Sequence, residues 1–250
     1  MQPDWAPLRA ELKKWHRKDL VLPVWWRDDD AIDLSENLDR LIALSDSVGV
    51  PVHLAVIPRN ATQALADCIQ ETPYLIPVVH GWAHRNHQPA EDTKCEFGEN
   101  RPIGDRREEA AEGLRRLERL LGDRVAPMFV PPWNRVPKAF HPVLAEIGYR
   151  ALSTCFPRDQ VEAAPGLTQI NTHIDPLYWR PARLLSDPDL IVDRIVDLLK
   201  RRRQGKADNA EPFGLLTHHL VHDDRVWEFC RQYWRELLEG PVSLYRADVP

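Results

Sequence analysis

Residues 20–57 contain the first strand–helix–strand unit of the chain and read LVLPVWWRDDDAIDLSENLDRLIALSDSVGVPVHLAVI. The apolar run from Leu20 to Trp26 is typical of a buried strand. Apolar residues then recur at helical spacing from Leu34 to Val48, and Gly49 is well placed to end that helix. The segment from Val50 to Ile57 is a second apolar run. Two strands joined by a helix predict a parallel pair with a right-handed crossover.

The same alternation continues to the end of the chain. Strands are predicted at residues 75–79, 128–130, 149–155, 167–173 and 213–218, with helices at residues 61–70, 105–121, 138–147, 187–203 and 224–238. Strands that alternate with helices indicate an α/β protein with a parallel sheet. Seven strands in 250 residues predict a barrel, or a barrel-like open sheet, that forms one domain over residues 1–250.

Composition and charge exclude several classes of function. The net charge of -5 argues against a nucleic-acid-binding protein, which would need a basic face. One basic run, Lys200 to Arg203, ends a predicted helix, where cations suit the helix dipole. No membrane span and no secretory leader is recognisable, and the four cysteines form no C-x-x-C pair. We therefore expect free thiols, a cytoplasmic location and no membrane partner.

Three polar clusters follow apolar runs at the points where the predicted strands end. They are Asp28-Asp29-Asp30, His80-Gly81-Trp82-Ala83-His84 and Thr217-His218-His219. The carboxyl ends of the strands carry the chemistry in barrel enzymes, so the three clusters are expected to meet there. Gly81 permits a sharp turn directly after His80.

Two of these clusters predict a metal site. His80 and His84 are four residues apart, which is compatible with zinc ligation. Three adjacent aspartates raise one another's pKa when they are packed closely, and a bound divalent cation relieves that repulsion. A carboxylate with two imidazoles suits Zn²⁺, with Co²⁺, Mn²⁺ or Ni²⁺ as alternatives. An acidic cluster ahead of a helix N-terminus is the simpler alternative for the aspartates.

Four short motifs, taken in order, resemble those of the polysaccharide deacetylase superfamily, also called carbohydrate esterase family 4 (CE4) or NodB-like proteins. The stretch Trp26 to Asp30 resembles the family's T-F-D-D-G motif, and His80 to His84 its H-S/T-x-x-H motif. Phe129 to Asn134 resembles F-R-P-P-Y-G, and Leu216 to His218 the late L-x-H motif. The motifs place a core at about residues 20–222. The resemblance implies a single-domain, distorted (β/α)7 barrel.

Carried over residue by residue, the resemblance assigns a role to each cluster. Asp28 becomes the general base and His218 the general acid, while Asp29, His80 and His84 hold the metal. The backbone N–H of Trp133 would stabilise the oxyanion, and the substrate would contact Trp82, Pro132, Trp133 and Asn134. The implied reaction is hydrolysis of a C–N amide bond, most simply N-deacetylation of an N-acetylated sugar or oligosaccharide.

The chain departs from the family pattern at two supporting positions. Val130 stands where the family has the arginine that supports the base, so Arg27 or Arg135 is the candidate replacement. The acidic motif that supports the acid histidine is not recognisable, and His173 or Asp175 is the candidate there. These departures keep two alternatives open: an amidohydrolase for a small non-sugar amide, and a catalytically silent carbohydrate-binding homologue. The sequence does not determine the oligomeric state.

Overall fold

The computed structural model describes residues 3–179 and 184–247. Seven α-helices lie within these residues: α1 (Ala6–His16), α2 (Glu36–Val48), α3 (Gln63–Glu71), α4 (Ile103–Leu121), α5 (His141–Ile147), α6 (Pro188–Arg203) and α7 (Asp224–Leu238). The longer strands are β1 (Leu22–Ala31), β2 (Val52–Val56), β3 (Leu75–His80) and β11 (Phe213–Thr217). The shorter strands are β4 (Met128–Val130), β5 (Ala151–Leu152), β6 (Glu162–Ala164), β7 (Leu167–Gln169), β8 (Thr172–Ile174), β9 (Leu177–Tyr178), β10 (Leu184–Leu185) and β12 (Val242–Leu244).

One mostly parallel sheet organises the molecule. Its strands are hydrogen-bonded in the order β6-β7-β5-β4-β3-β2-β1-β11-β8, and β12 also pairs with β1. Among the strand pairs described for this sheet, β6 and β7 alone run antiparallel. A bridge between Cys155 and Thr172 joins the segment after β5 to β8, near the two ends of the sheet. The predicted α/β class is confirmed, and the parallel order agrees with a distorted (β/α)7 barrel.

The two faces of the sheet are packed differently. Side chains of the inner face form a cluster made mostly of strand residues, including Trp25, Val78 and Val130. The outer face packs against the helices in a larger cluster, to which Trp26 and Trp234 belong. Successive residues of a strand point to opposite faces. This alternation decides which residues of β1 reach the inner face.

Local signals explain why most helices begin and end where predicted. The Ser35 hydroxyl accepts from the N–H of Leu38 at the start of α2, and Gly49 ends that helix with a left-handed φ of 68°. Asp187 and Asp223 cap α6 and α7 in the same way. Helix α3 begins two residues later than predicted, at Gln63, because the Thr62 hydroxyl caps it by accepting from the Leu65 N–H.

Several elements were not apparent from the sequence. Helix α1 precedes the first strand and packs on α6 and α7.

The basic run at the end of α6 is partly internal, since buried Arg202 donates to the carbonyl of Glu211 and Arg203 pairs with Glu11. All four cysteines are free, as predicted. Among the described residues, no helix has the length and apolar character that crossing a membrane would require.

Candidate metal centre and active site

The alternation of β1 points Asp28 away from the inner face. Trp26, two residues earlier, packs its ring against Trp234 of α7 at a centroid distance of 5.5 Å, so Asp28 also faces the helices. Asp28 is fully buried and accepts from the Thr217 hydroxyl at 2.6 Å and from the His219 N–H at 3.0 Å. Its other oxygen accepts from the His219 ring. Both carboxylate oxygens of Asp28, the predicted base, therefore accept hydrogen bonds on the face of the sheet that packs against the helices.

Asp29 lies on the inner face and forms a two-point ion pair. The Nε and Nη2 of Arg27 donate to its two oxygens at 2.9 and 3.0 Å. Arg27 is itself fixed, because it also donates to the Ser153 hydroxyl and to the side-chain oxygen of Asn134. Of the two candidate replacements for the family arginine, Arg27 is the one at this acid. Arg135 is exposed and donates to the Lys94 carbonyl.

Asp30, rather than the predicted Asp29, is the carboxylate beside the two histidines. Its backbone has a left-handed φ of 81°, and the pairing of β1 with β2 shifts register between Asp28 and Ala31. One oxygen of Asp30 lies 3.1 Å from the His80 Nε2 and 3.2 Å from the His84 Nε2. The strained backbone turns this side chain out of the regular alternation and into the site.

The donor set of Asp30, His80 and His84 fits a divalent metal ion. Their three ligand atoms all lie within 4.8 Å of one another. The Nδ1 of His80 lies 2.9 Å from the Val130 carbonyl, which fixes the tautomer that leaves Nε2 free to bind a metal. Two imidazole nitrogens and one carboxylate oxygen, with room for water and substrate, are typical of catalytic zinc sites.

Electrostatics in this cluster stabilise the charged forms of Asp30 and His80 but not that of His84. Burial lowers the pKa of His80, but the carboxylates of Asp29 and Asp30 outweigh it, so the net shift is upward. Burial raises the pKa of Asp30, but its hydrogen bond to His80 and the charges of the nearby histidines leave it well below its usual range. The pKa of His84 is lowered by burial and by His80. A cation held here would meet a carboxylate that is already ionised.

Glu96 shapes the loop that carries the two histidines, and no motif in the sequence marks it. It is 1 % exposed and accepts from the backbone N–H groups of Trp82, Ala83 and Arg85 at 3.1, 2.8 and 3.2 Å. Gly81 has a left-handed φ of 56°, and a Cβ there would lie 2.3 Å from a Glu96 oxygen. The expected sharp turn after His80 therefore also needs a glycine for space.

One of the four predicted substrate-contacting residues lines an open cavity, whereas the other three are engaged in contacts within the protein. The Trp133 ring packs on His84, with centroids 4.5 Å apart, and lines an open cavity. Pro132 is buried against Gly81, and Asn134 is committed to Arg27. Trp82 is partly buried and packs against the outer hydrophobic cluster. Trp133 is thus the member of this group best placed to contact a ligand.

His218 lies across the site, at the end of β11. Its ring meets the Trp179 ring edge-on, with centroids 4.6 Å apart, and the Trp179 indole N–H donates to Asp175 at 2.8 Å. Burial raises the pKa of Asp175, while the charge of His218 and the hydrogen bond from Trp179 oppose that shift. His173 lies elsewhere, in a buried network with Glu211 and Arg202. Asp175 is therefore linked to His218 through the Trp179 ring.

Comparison with solved structures shows the fold. The chain has the fold of the CE4 deacetylases and esterases. It is similar to a CE4 esterase from Streptococcus mutans, with a TM-score of 0.60 and 12% identity over 95% of this chain and 91% of that one. It is also similar to an acetyl xylan esterase from Clostridium thermocellum in complex with a cobalt ion, with a TM-score of 0.53 and 13% identity over 89% and 86% of the two chains.

A third similar structure is a peptidoglycan N-acetylglucosamine deacetylase, with a TM-score of 0.53 and 14% identity over 89% of this chain and 85% of that one. No protein-family model matches the sequence, and no curated protein matches it. The structural likeness is therefore far stronger than the sequence likeness.

Proposed function

We propose that the protein is a metal-dependent hydrolase that removes an acyl group, most simply acetyl, from the nitrogen of an N-acylated sugar or oligosaccharide. The observation that carries this proposal is the convergence of Asp30, His80 and His84 beside the ion-paired Asp29. The similar solved structures are a deacetylase and esterases of carbohydrates, which supports the same reaction type.

Asp30, His80 and His84 would hold the metal, with Zn²⁺ as the first candidate and Co²⁺, Mn²⁺ or Ni²⁺ as alternatives. The metal would supply Lewis acidity, which lowers the pKa of water and polarises the substrate carbonyl. Asp29 is the carboxylate next in line on the inner face, so we assign it the role of general base. Arg27 holds both oxygens of Asp29 in place for that proton transfer.

The remaining steps of the reaction involve Trp133 and His218. After water attacks the amide carbon, the backbone N–H of Trp133 would stabilise the oxyanion of the substrate. Protonated His218 then gives its proton to the leaving nitrogen, which departs as a free amine. Asp175 and Trp179 orient that imidazole. The products are an amine and a carboxylate, and one water is consumed.

Metal content and amine release test this function together. Wild-type protein is expected to bind one equivalent of Zn²⁺ or Co²⁺ and to release amine from N-acetylated chito-oligosaccharides. Asp30→Asn should lose the metal, whereas Asp29→Asn, the same change one residue earlier, should keep the metal but lose turnover. An acetyl ester of xylan serves as a second substrate, because one similar structure is an acetyl xylan esterase.

Three results would contradict the proposal. Equal metal retention by Asp30→Asn and wild type would remove the ligand assignment. Loss of metal from Asp29→Asn alone would return the ligand role to Asp29. Absence of turnover by metal-loaded protein on sugar amides, sugar esters and small amides would favour a silent binding protein.

A further inference from the structure

An open cavity of about 600 Å³ adjoins the candidate metal site. It shares His84 with that site, and the Trp133 ring that packs on His84 forms another part of its wall. A substrate whose amide reaches His84 would therefore extend into this cavity. The chemistry of its lining should then select among N-acylated sugars.

The lining is strongly cationic. Arg59, Arg85 and Lys94 all contribute to it, and none of the described lining residues is acidic. This contrasts with the molecule as a whole, whose net charge is -5. Three positive charges around one opening repel one another, and an anion between them would relieve that repulsion.

These three side chains also differ from several other exposed cations of the protein. Arg9, Arg107 and Arg225 are each paired with a carboxylate. Within residues 3–179 and 184–247, no ion pair to a carboxylate is formed by Arg59, Arg85 or Lys94. The donors of the cavity are therefore available to a ligand.

The backbone that carries the cations is well anchored. The Arg59 N–H donates to the Trp82 carbonyl at 2.9 Å, and the Arg85 N–H donates to buried Glu96. The Lys94 ammonium lies 5.8 Å from the centre of the Trp133 ring. A sugar ring stacked on Trp133 would thus carry its substituents toward positive charge.

We propose that this cavity binds an oxyanion, a phosphate or a carboxylate, that the substrate itself carries beside its N-acyl group. Arg59 and Arg85 offer planar forks of donors that match either group, and Lys94 adds a point charge. The substrate class becomes an anionic N-acylated sugar rather than a neutral glycan. This inference rests on the proposed function, because it places the acyl group at the metal site.

Equilibrium binding tests the inference without any need for turnover. Calorimetry on the Zn²⁺-loaded full chain would compare N-acetylglucosamine with its 1-phosphate, its 6-phosphate and N-acetylmuramic acid, which carries a carboxylate. At least one anionic sugar should bind roughly tenfold more tightly than the neutral one at low salt, and high salt should weaken that preference. The phosphate and carboxylate arms identify which oxyanion the cavity takes.

Two triple variants each remove three positive charges, one set from the cavity lining and the other from elsewhere on the surface. The triple variant Arg59→Gln, Arg85→Gln, Lys94→Gln should lose most of the anionic preference. The control Arg150→Gln, Arg201→Gln, Lys206→Gln removes three other exposed cations and should keep it. A ratio of anionic to neutral affinity near one in wild type would overturn the inference, as would equal ratios in the two triple variants. Amine release measured in parallel separates failure of this inference from failure of the hydrolase function.

Discussion

At the residue scale, adjacent aspartates of one strand have different environments. Asp28 lies behind the sheet, Asp29 on its inner face and Asp30 in a left-handed turn beside the histidines. Burial raises the pKa of Asp28, but the charge and hydrogen bonds of His219 outweigh it, so Asp28 is ionised in the fold. Burial lowers the pKa of His219, and Asp28 reverses that shift. The two residues form a buried ion pair that supports the turn carrying His218.

The isosteric variants of two neighbouring aspartates should differ in their effects on stability and on turnover. Asp28→Asn should lower the free energy of unfolding by about 3 kcal/mol, because it leaves the buried His219 without its charge partner. Asp29→Asn should also destabilise the fold, because buried Arg27 loses its charge partner, and it should in addition reduce turnover by roughly 10²–10⁴-fold, since it removes the proposed base. Urea unfolding and steady-state amine release check both outcomes. If Asp28→Asn proved stable and Asp29→Asn active, these roles would be reversed.

At the element scale, the loop after β3 is organised by one buried carboxylate. Burial raises the pKa of Glu96, and three backbone N–H groups of the loop oppose that shift. Those N–H groups belong to residues between and just after the two histidines. A carboxylate can accept from all three, whereas an amide places its own donors against some of them. Glu96 therefore sets the geometry of the His80 and His84 pair.

Replacing this carboxylate should weaken metal binding without removing a ligand. Glu96→Gln is expected to reduce affinity for Zn²⁺ by roughly tenfold, the size of effect seen when groups that orient metal ligands are lost. Competition with a chromogenic chelator measures the change. Glu99→Gln, an exposed position in the same loop, is the matched control and should bind as wild type does. Equal affinities in the two variants would show that the loop holds its shape without Glu96.

At the scale of the whole molecule, the end of the chain is tied to the inside of the sheet. The Ala247 N–H donates to the Nε2 of His53, whose Nδ1 lies 3.0 Å from the Trp26 carbonyl. The His53 ring also stacks on Tyr245 at a centroid distance of 5.7 Å. This arrangement needs a neutral imidazole that donates at Nδ1 and accepts at Nε2. Burial accordingly lowers the pKa of His53 to about 4.

This histidine should make stability depend on pH. The unfolded chain keeps the ordinary histidine pKa of 6.5, whereas the pKa of His53 in the folded chain is about 4. At any pH between these two values, the unfolded chain therefore binds more protons at this site than the folded chain does. The contribution of this group to stability is therefore full above pH 6.5 and falls by about 3 kcal/mol as the pH drops toward 4. Unfolding of wild type and His53→Gln across that range measures it. The variant, which cannot titrate, should have the shallower slope, and identical slopes would contradict the assignment.

Local patterns predicted most elements and the residue types of the site. Apolar runs located the main strands, and helical spacing closed by Gly49 located α2. Helix α1 was not predicted, although its buried residues Leu8, Leu12 and Trp15 recur at helical spacing. The presence of His80 and His84 in the candidate metal site could be inferred from their spacing and their place after a strand. Glu96 could not, because it lies in a polar loop with no motif.

The sequence alone determined the α/β alternation, the kinds of ligand and the order of the clusters along the chain. Only the tertiary structure decided where each aspartate side chain lies, because three adjacent carboxylates have the same chemistry until a backbone gives each one a direction. The period of two sends Asp28 outward and Asp29 inward, and the left-handed turn at Asp30 overrides that period. The cationic cavity is likewise a product of the fold, since it brings Arg59 to Arg85 and Lys94 across two loops.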